Sequence, residues 1–502
     1  MKKATTLLVI VLMLILLISG CGEKESGDFE IVIAQGVDAT TLDPHIHNET
    51  PSANVTSQIF DRLFLRDQNM ELVPKLAKEY EIVDELTWKV SLKEEIVFHN
   101  GEPFTADAVK FSIERIIDPE TQSPQMPNYS MIDRVDIVDD YTVKIITKEP
   151  YPLLLGRLSL LAIVPPEYIQ EVGREGFAEN PIGTGPFVFE SWERDEEIVL
   201  KANNDYWQGE PTFQEVVFRT IPENSVRIAE LKSGSADLIV NVPPHQVEEV
   251  DHSPGLKVKS VPSGRIIFVQ WVTDKEGVTS DPIVRQAIQH AVHQEDIIES
   301  ILEGFARPLD QPLTEDDFGY HPGIQPREYD PNKAQELLAE HGYEDPVLIV
   351  IDSPAGRYAM DKEVAEAIKG QLEQAGFQVD LRFNEWGVHV NKILEREMEG
   401  GYLIGWGSSL FDADATLYSN FHSTQRISFY ENDRVDELLE QARSTLDESS
   451  RKAYYHEAIE IITDEAAVLP LYQPEDIYGM QENLVWSPRP DEMIYVFDME
   501  IN

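Results

Sequence analysis

Val347-Leu348-Ile349-Val350-Ile351 begins the stretch whose reading decides the fold. An unbroken apolar run of this length, bounded by polar residues, predicts a buried strand. A helix fits 362–375 and stops at Gly376, a strand fits 379–383, a helix fits 388–398, and a strand fits 402–406. Strand, helix, strand, helix, strand is a βαβαβ unit, and ligands of such units lie beyond the carboxyl ends of the strands. The segment Gly405-Trp406-Gly407-Ser408-Ser409-Leu410-Phe411-Asp412-Ala413-Asp414 occupies one of those ends.

The same alternation continues on both sides, which predicts an α/β protein. Thr105 stands where it would cap a helix carrying Ala106, Val109, Ile113 and Ile116 on one face. Asp281-Pro282 and Asp330-Pro331 each put an N-cap before a first-turn proline. The second of these helices buries Ala334, Leu337 and Leu338 and ends at Gly342. Two more helices fit 433–446 and 450–463. No fixed-period repeat is present.

The full chain has 502 residues, with 91 Asp and Glu against 41 Lys and Arg, a net charge of −50. Phosphate would be repelled, so nucleic acid is excluded as a partner. The acids are spread along the whole length and read as a solvated surface, suited to high salt or an alkaline habitat where repulsion is tolerated. The N-terminus has Lys2-Lys3, twelve apolar residues from Leu7 to Ile18, then Ser19-Gly20-Cys21. This pattern describes a secretory signal. It resembles the lipobox of bacterial lipoproteins, which implies that residues 1–20 are removed and that Cys21, the only cysteine, is lipidated. Residues 21–28 would be a polar tether, and the protein would be extracytoplasmic, held at the membrane by its lipid. No second cysteine exists to form a disulfide.

A family resemblance rests on several blocks. The first is Trp88-Lys89-Val90-Ser91-Leu92 followed by Val97-Phe98-His99-Asn100-Gly101-Glu102-Pro103-Phe104-Thr105-Ala106-Asp107-Ala108-Val109-Lys110-Phe111-Ser112. Others are Thr41-Leu42-Asp43-Pro44, Pro181-Ile182-Gly183-Thr184-Gly185-Pro186-Phe187, Asn204-Asp205-Tyr206-Trp207, Val284-Arg285-Gln286-Ala287-Ile288, Tyr329-Asp330-Pro331, and Glu385-Trp386-Gly387. Together they resemble the family 5 extracellular solute-binding proteins, the peptide, nickel and glutathione receptors of ABC importers. The resemblance implies a bilobal periplasmic-binding-protein-like fold, type II and of the large class with three sub-regions. A core lobe would comprise 29–62, 185–265 and 478–502, an inserted lobe 63–184, and a second lobe 266–477. The ligand would lie between lobes, for delivery to permease subunits, and a monomer is expected.

Peptide receptors of the family carry an aspartate shortly after the Gly-Trp; here that place is Ser409. The continuation Asp412-Ala413-Asp414, the Phe421-His422-Ser423 block, Pro262-Ser263-Gly264-Arg265 and Pro490-Asp491-Glu492-Met493-Ile494 resemble the glutathione-binding branch instead. A short peptide or glutathione is the expected ligand, with a nickel complex or haem as the alternative.

A peptide's ammonium needs a carboxylate, for which Asp412 or Asp414 is available, and its carboxylate needs an arginine, ideally bidentate. Arg265 and Arg357 are the candidates; either could equally be a surface ion-pair residue. Trp386 and Trp406 read as platforms or as aromatic core, and Ser408, Ser409 and Tyr418 flank the same strand end. Gly183, Thr184 and Gly185 form a loop able to offer backbone N–H groups. His45, with His47, raises the nickel question. No acid or histidine is spaced to complete a metal shell, so neither metal nor cofactor is expected. Hydrolase motifs such as Gly-x-Ser-x-Gly and His-Glu-x-x-His are absent from the sequence, which argues against an enzyme.

Overall fold

A computed structural model describes residues 29–343 and 346–502. The anticipated signal, tether and lipidated Cys21 lie outside the described residues. Within them, no helix is long and apolar enough to cross a membrane.

The βαβαβ unit forms with longer strands than its apolar runs suggest: Val347–Pro354, Phe377–Asn384 and Gly401–Gly407, with helices Asp361–Gln374 and Trp386–Leu394 between them. Val347–Pro354 pairs in parallel with both other strands. The second helix ends before the anticipated 398, because Arg396 takes a left-handed backbone (φ 58°) and donates to the Arg426 and Ser428 carbonyls. Ile349, Ile351, Val364, Ile368, Leu372 and Leu403 bury the unit's interior. Each such side chain contributes roughly 1.5–3 kcal/mol through burial.

Two long segments join the two halves of the 12-stranded sheet. The 14-residue strand Val468–Gln481 pairs through its first half with Arg265–Trp271 and Ala306–Pro308, and through its second half with Leu256–Pro262 and Leu238–Ile239. Its partners change between Pro474 and Glu475, so the anticipated boundary at 478 falls inside its second half. Leu256–Pro262 and Arg265–Trp271 run alongside it and make the same crossing two residues apart. On the core side, Glu30–Gln35 lies in parallel between Leu238–Ile239 and Glu215–Thr220.

A separate four-stranded antiparallel sheet spans residues 77–147, with Ala106–Ile117 packed on it. That helix buries Ala106, Val109, Ile113 and Ile116 as the spacing predicts, although Thr105 makes no side-chain cap bond. Asp281 and Asp330 do cap their helices, accepting from Ile283 N–H and from Asn332 and Lys333 N–H. Leu410, which follows the strand Gly401–Gly407, enters the apolar core of the four-stranded sheet, where its side chain lies against Gly156.

Candidate functional site

The site begins at the crossing. Ser263 N–H donates to the Pro474 carbonyl (2.9 Å), Gln473 Nε2 to the Ser263 carbonyl (2.7 Å), and Gly264 N–H to the Pro490 carbonyl (2.7 Å). The approach at 264 is tight even for glycine: a Cβ there would meet both the Phe411 ring and the Pro490 oxygen at 3.0 Å, so one of them would have to give. This close approach brings the 490–494 tail against the crossing strands. Asn54 and Gln58 hold the tail from the core side, Asn54 Oδ1 accepting from Ile494 N–H (3.0 Å) and Gln58 Oε1 from Val496 N–H (3.1 Å).

The carboxyl ends of the second-lobe strands converge on the same place, as expected of parallel strands. After Val347–Pro354, the N–H groups of Gly356, Arg357 and Tyr358 all donate to the buried Asp361 carboxylate at 2.7–3.1 Å. Asp361 opens the next helix, where the dipole favours a negative charge. The loop is thereby fixed, with the exposed Arg357 directed outward. The Arg357 guanidinium lies 5.1 Å from the Tyr358 ring centre and 5.2 Å from that of Trp386, within cation–π range. Trp386 follows the strand Phe377–Asn384 and starts a helix capped by Glu385, which accepts from Gly387 N–H at 3.0 Å. Arg265, opposite Gly407 in the paired strand, reaches Glu492 of the tail at 3.5 Å.

Partial desolvation lowers the Arg357 pKa from its ordinary value, and the like charge of Arg265 lowers it further. Among the described residues, no group accepts a hydrogen bond from the Arg357 guanidinium. Arg265 has only the long contact to Glu492. Acids outnumber bases 91 to 41 in this chain, so two neighbouring arginines this poorly partnered stand out among its charges.

Thus Arg265, Arg357 and Trp386 come together. Trp406, Ser408 and Ser409 lie at the adjoining strand end, with different exposures. Ser409 is exposed, whereas Ser408 is buried and its N–H donates to the Gly264 carbonyl at 2.9 Å. Trp406 is half-buried and its indole donates to the Ala415 carbonyl at 3.0 Å. Tyr418 is stacked by Arg443, 3.7 Å from ring centre to guanidinium.

Several expectations are corrected by what the side chains already hold. Asp412 is no free anchor for an ammonium: it caps the helix Ala413–Phe421 and takes a bidentate pair from the buried Arg451 at 2.6 and 2.8 Å. Asp414 is buried beside Arg443 at 3.0 Å, and burial raises its pKa despite that arginine. The Gly183-Thr184-Gly185 loop offers a ligand little, because its groups are spent on the fold. Gly185 N–H donates to the Ile59 carbonyl (2.8 Å), Thr184 Oγ1 donates to Asp61 (3.1 Å), and the His99 ring meets the Gly185 carbonyl (2.9 Å). His45 is wholly buried, with Nε2 against the Ala162 carbonyl and Nδ1 against Arg115, both at 2.9 Å. Burial and Arg115 push its pKa down to about 4, so it is a neutral core histidine supporting the Asp43–Arg115 ion pair. His47 is likewise buried, against Thr56.

Residue-level reading of the sequence did not single out Tyr358, Glu492 or Asp476, which lie beside Arg357 or Arg265 in the fold. Tyr358 and Glu492 stood within or beside quoted segments, whereas nothing local distinguishes Asp476 among so many acids.

Comparisons with known proteins bear on the family and the fold. The model for bacterial extracellular solute-binding proteins, family 5 middle region, matches residues 71–428. The glutathione-binding protein GsiB of Escherichia coli O1:K1 / APEC is 29% identical over 471 residues, 91% of each chain. The ABC transporter-associated periplasmic binding protein DppA of Helicobacter pylori, solved with the peptide STSA, is 28% identical with a TM-score of 0.79, covering 96% of this chain and all of that one (100%). NikZ of Campylobacter jejuni, solved with Ni(L-His), is 25% identical with a TM-score of 0.80, covering 94% and 99%. With a family match across most of its length, this chain belongs to the bacterial extracellular solute-binding proteins of family 5.

Proposed function

We propose that this protein is the receptor of an ABC importer, that it captures a short peptide or glutathione-like ligand, and that Arg357 and Arg265 hold the ligand's carboxylate. The observation carrying this reading is the pair of adjacent, under-partnered guanidiniums at the lobe crossing of a chain with net charge −50. Trp386 and Tyr358 offer flat faces for the ligand's apolar or amide portions. The glutathione-binding relative and the peptide-bound neighbour support a peptide-like ligand.

Calorimetry on ligand-stripped protein with glutathione, glutathione disulfide and di- to oligopeptides tests it. Losing one charge-assisted pair is worth about 1.5–3 kcal/mol, so Arg357→Ala weakens binding roughly tenfold or more. Flat titrations with every peptide would defeat the reading.

The same reading includes a lipid anchor at Cys21 and action as a monomer beside the permease, where tethering raises effective concentration. Three sub-regions, bounded near 62, 184, 265 and 477, would close around the ligand. Cys21→Ser should release the protein from membrane fractions; retention of this variant at the membrane would remove the anchor.

A further inference from the structure

The other face of the crossing carries acids as poorly satisfied as the arginines. Glu492 takes a left-handed backbone (φ 59°), which costs a non-glycine residue roughly 1–2 kcal/mol and fixes where its carboxylate stands. Thr50 Oγ1 donates to Glu492 Oε2 at 3.1 Å, while Oε1 has only Arg265 at 3.5 Å. Asp476 lies on the strand Val468–Gln481, just past its change of partners, with Oδ2 buried and without a hydrogen-bond partner among the described residues. Burial raises the Asp476 pKa well above the ordinary value; Glu492 adds to the rise, and Ser263 and Arg265 offset only part of it. The two carboxylates therefore share one electrostatic neighbourhood with Arg265, and Arg265 in turn acts on Arg357. Beside this acid pair, Tyr478 is also influenced by Asp476, Glu492 and Asp491. Asp491 is itself occupied by Arg489, at 2.9 Å for its Oδ1.

Both signs of charge are thus left under-satisfied within a single contact of each other. An anion alone would satisfy the arginines and worsen the position of Asp476 and Glu492. A cation alone would do the reverse. A group bearing both charges close together satisfies both arginines and Glu492, and its ammonium draws Asp476 towards the ionised form.

Resting on the peptide-receptor reading, we propose that Asp476 and Glu492 receive an ammonium next to the carboxylate held by Arg357 and Arg265, so that the recognised group is a free α-amino acid head. Ammonium and carboxylate then sit on one carbon, as at the γ-glutamyl end of glutathione. In an α-linked peptide the two charges lie at opposite ends, at least one Cα spacing of about 3.8 Å further apart. The 3.5 Å contact between Arg265 and Glu492 suits the shorter separation.

Calorimetry with three probes tests the proposal: reduced glutathione, its deaminated analogue glutaryl-cysteinyl-glycine, and the α-linked isomer α-glutamyl-cysteinyl-glycine. Glutathione should bind at least tenfold more tightly than either analogue. Glu492→Gln should cost glutathione about tenfold while changing the deaminated analogue by less than twofold. Asp476→Asn, which keeps an acceptor for Ser263, should act in the same direction, with melting curves showing both variants folded. Equal affinity for glutathione and its deaminated analogue would overturn the proposal and leave the peptide-receptor reading intact. Binding of α-linked peptides alone would do the same, and no binding by any peptide would defeat both.

Discussion

Gly183 and Asp412 show how much of this chain's characteristic wording serves structure. A Cβ at Gly183 would stand far inside van der Waals contact distance of the Ile59 carbonyl oxygen, and backbone cannot step aside as a side-chain tip can. Gly183→Ala is therefore expected to cost about 3 kcal/mol or more in denaturant unfolding. Asp412 and Arg451 form a buried pair, and removing one partner leaves an uncompensated charge. Asp412→Asn retains a competent helix cap, yet should lose about 3 kcal/mol of stability. Arg451→Met in the same chain should restore part of that loss. Ligand affinity of the folded single variant should not change, and a large drop would return Asp412 to the ligand's surroundings.

Among the elements, the helix Ala106–Ile117 is tied to the 41–45 segment by Arg115, which pairs with Asp43 and touches His45. Burial alone would raise the Asp43 pKa, but Arg115 holds it below its ordinary value of 3.8. His45 is displaced the other way from a histidine that gains an acid, from 6.5 to about 4. Between those values the unfolded chain binds a proton that the folded chain refuses. Its contribution to stability is thus present above 6.5 and is lost as pH falls towards about 4. His389, also lowered to about 4 by burial, acts in the same sense. Asp317 opposes them: burial raises it from 3.8 to about 6, so stability falls as pH rises across that interval. Melting temperatures from pH 4 to pH 7 should consequently show a shallower dependence in His45→Gln, and higher stability at pH 7 in Asp317→Asn. An unchanged pH profile in His45→Gln would contradict the assignment.

On the scale of the whole molecule, net charge sets the response to salt. A charge of −50 spread over the surface repels itself within a Debye length of about 8 Å at physiological ionic strength. Raising NaCl from 0.05 to 1 M, which shortens that length to roughly 3 Å, is expected to raise the melting temperature by several degrees. A flat response would show that the acids are already neutralised locally. The contacts of Leu410 with the four-stranded sheet's core, and of Arg66 with the Leu410 carbonyl, join parts of the chain far apart in sequence.

The α/β class, the βαβαβ unit and the proline-started helices were determined by the sequence alone, because periodicity and capping act within a few residues. The resemblance blocks also find physical reasons in the fold: Asp43 of Thr41-Leu42-Asp43-Pro44 pairs with Arg115, on the helix that continues the 97–112 stretch, and His99 of that stretch meets the Gly185 carbonyl. Which charges remain available to a ligand was decided only by tertiary structure. Asp412 is satisfied 39 residues away and Asp43 72 residues away, whereas Arg265 finds only a long contact, 227 residues along the chain. Whether a charged side chain is left without an adequate partner depends on every other charge finding its place first, which no local pattern in the sequence records.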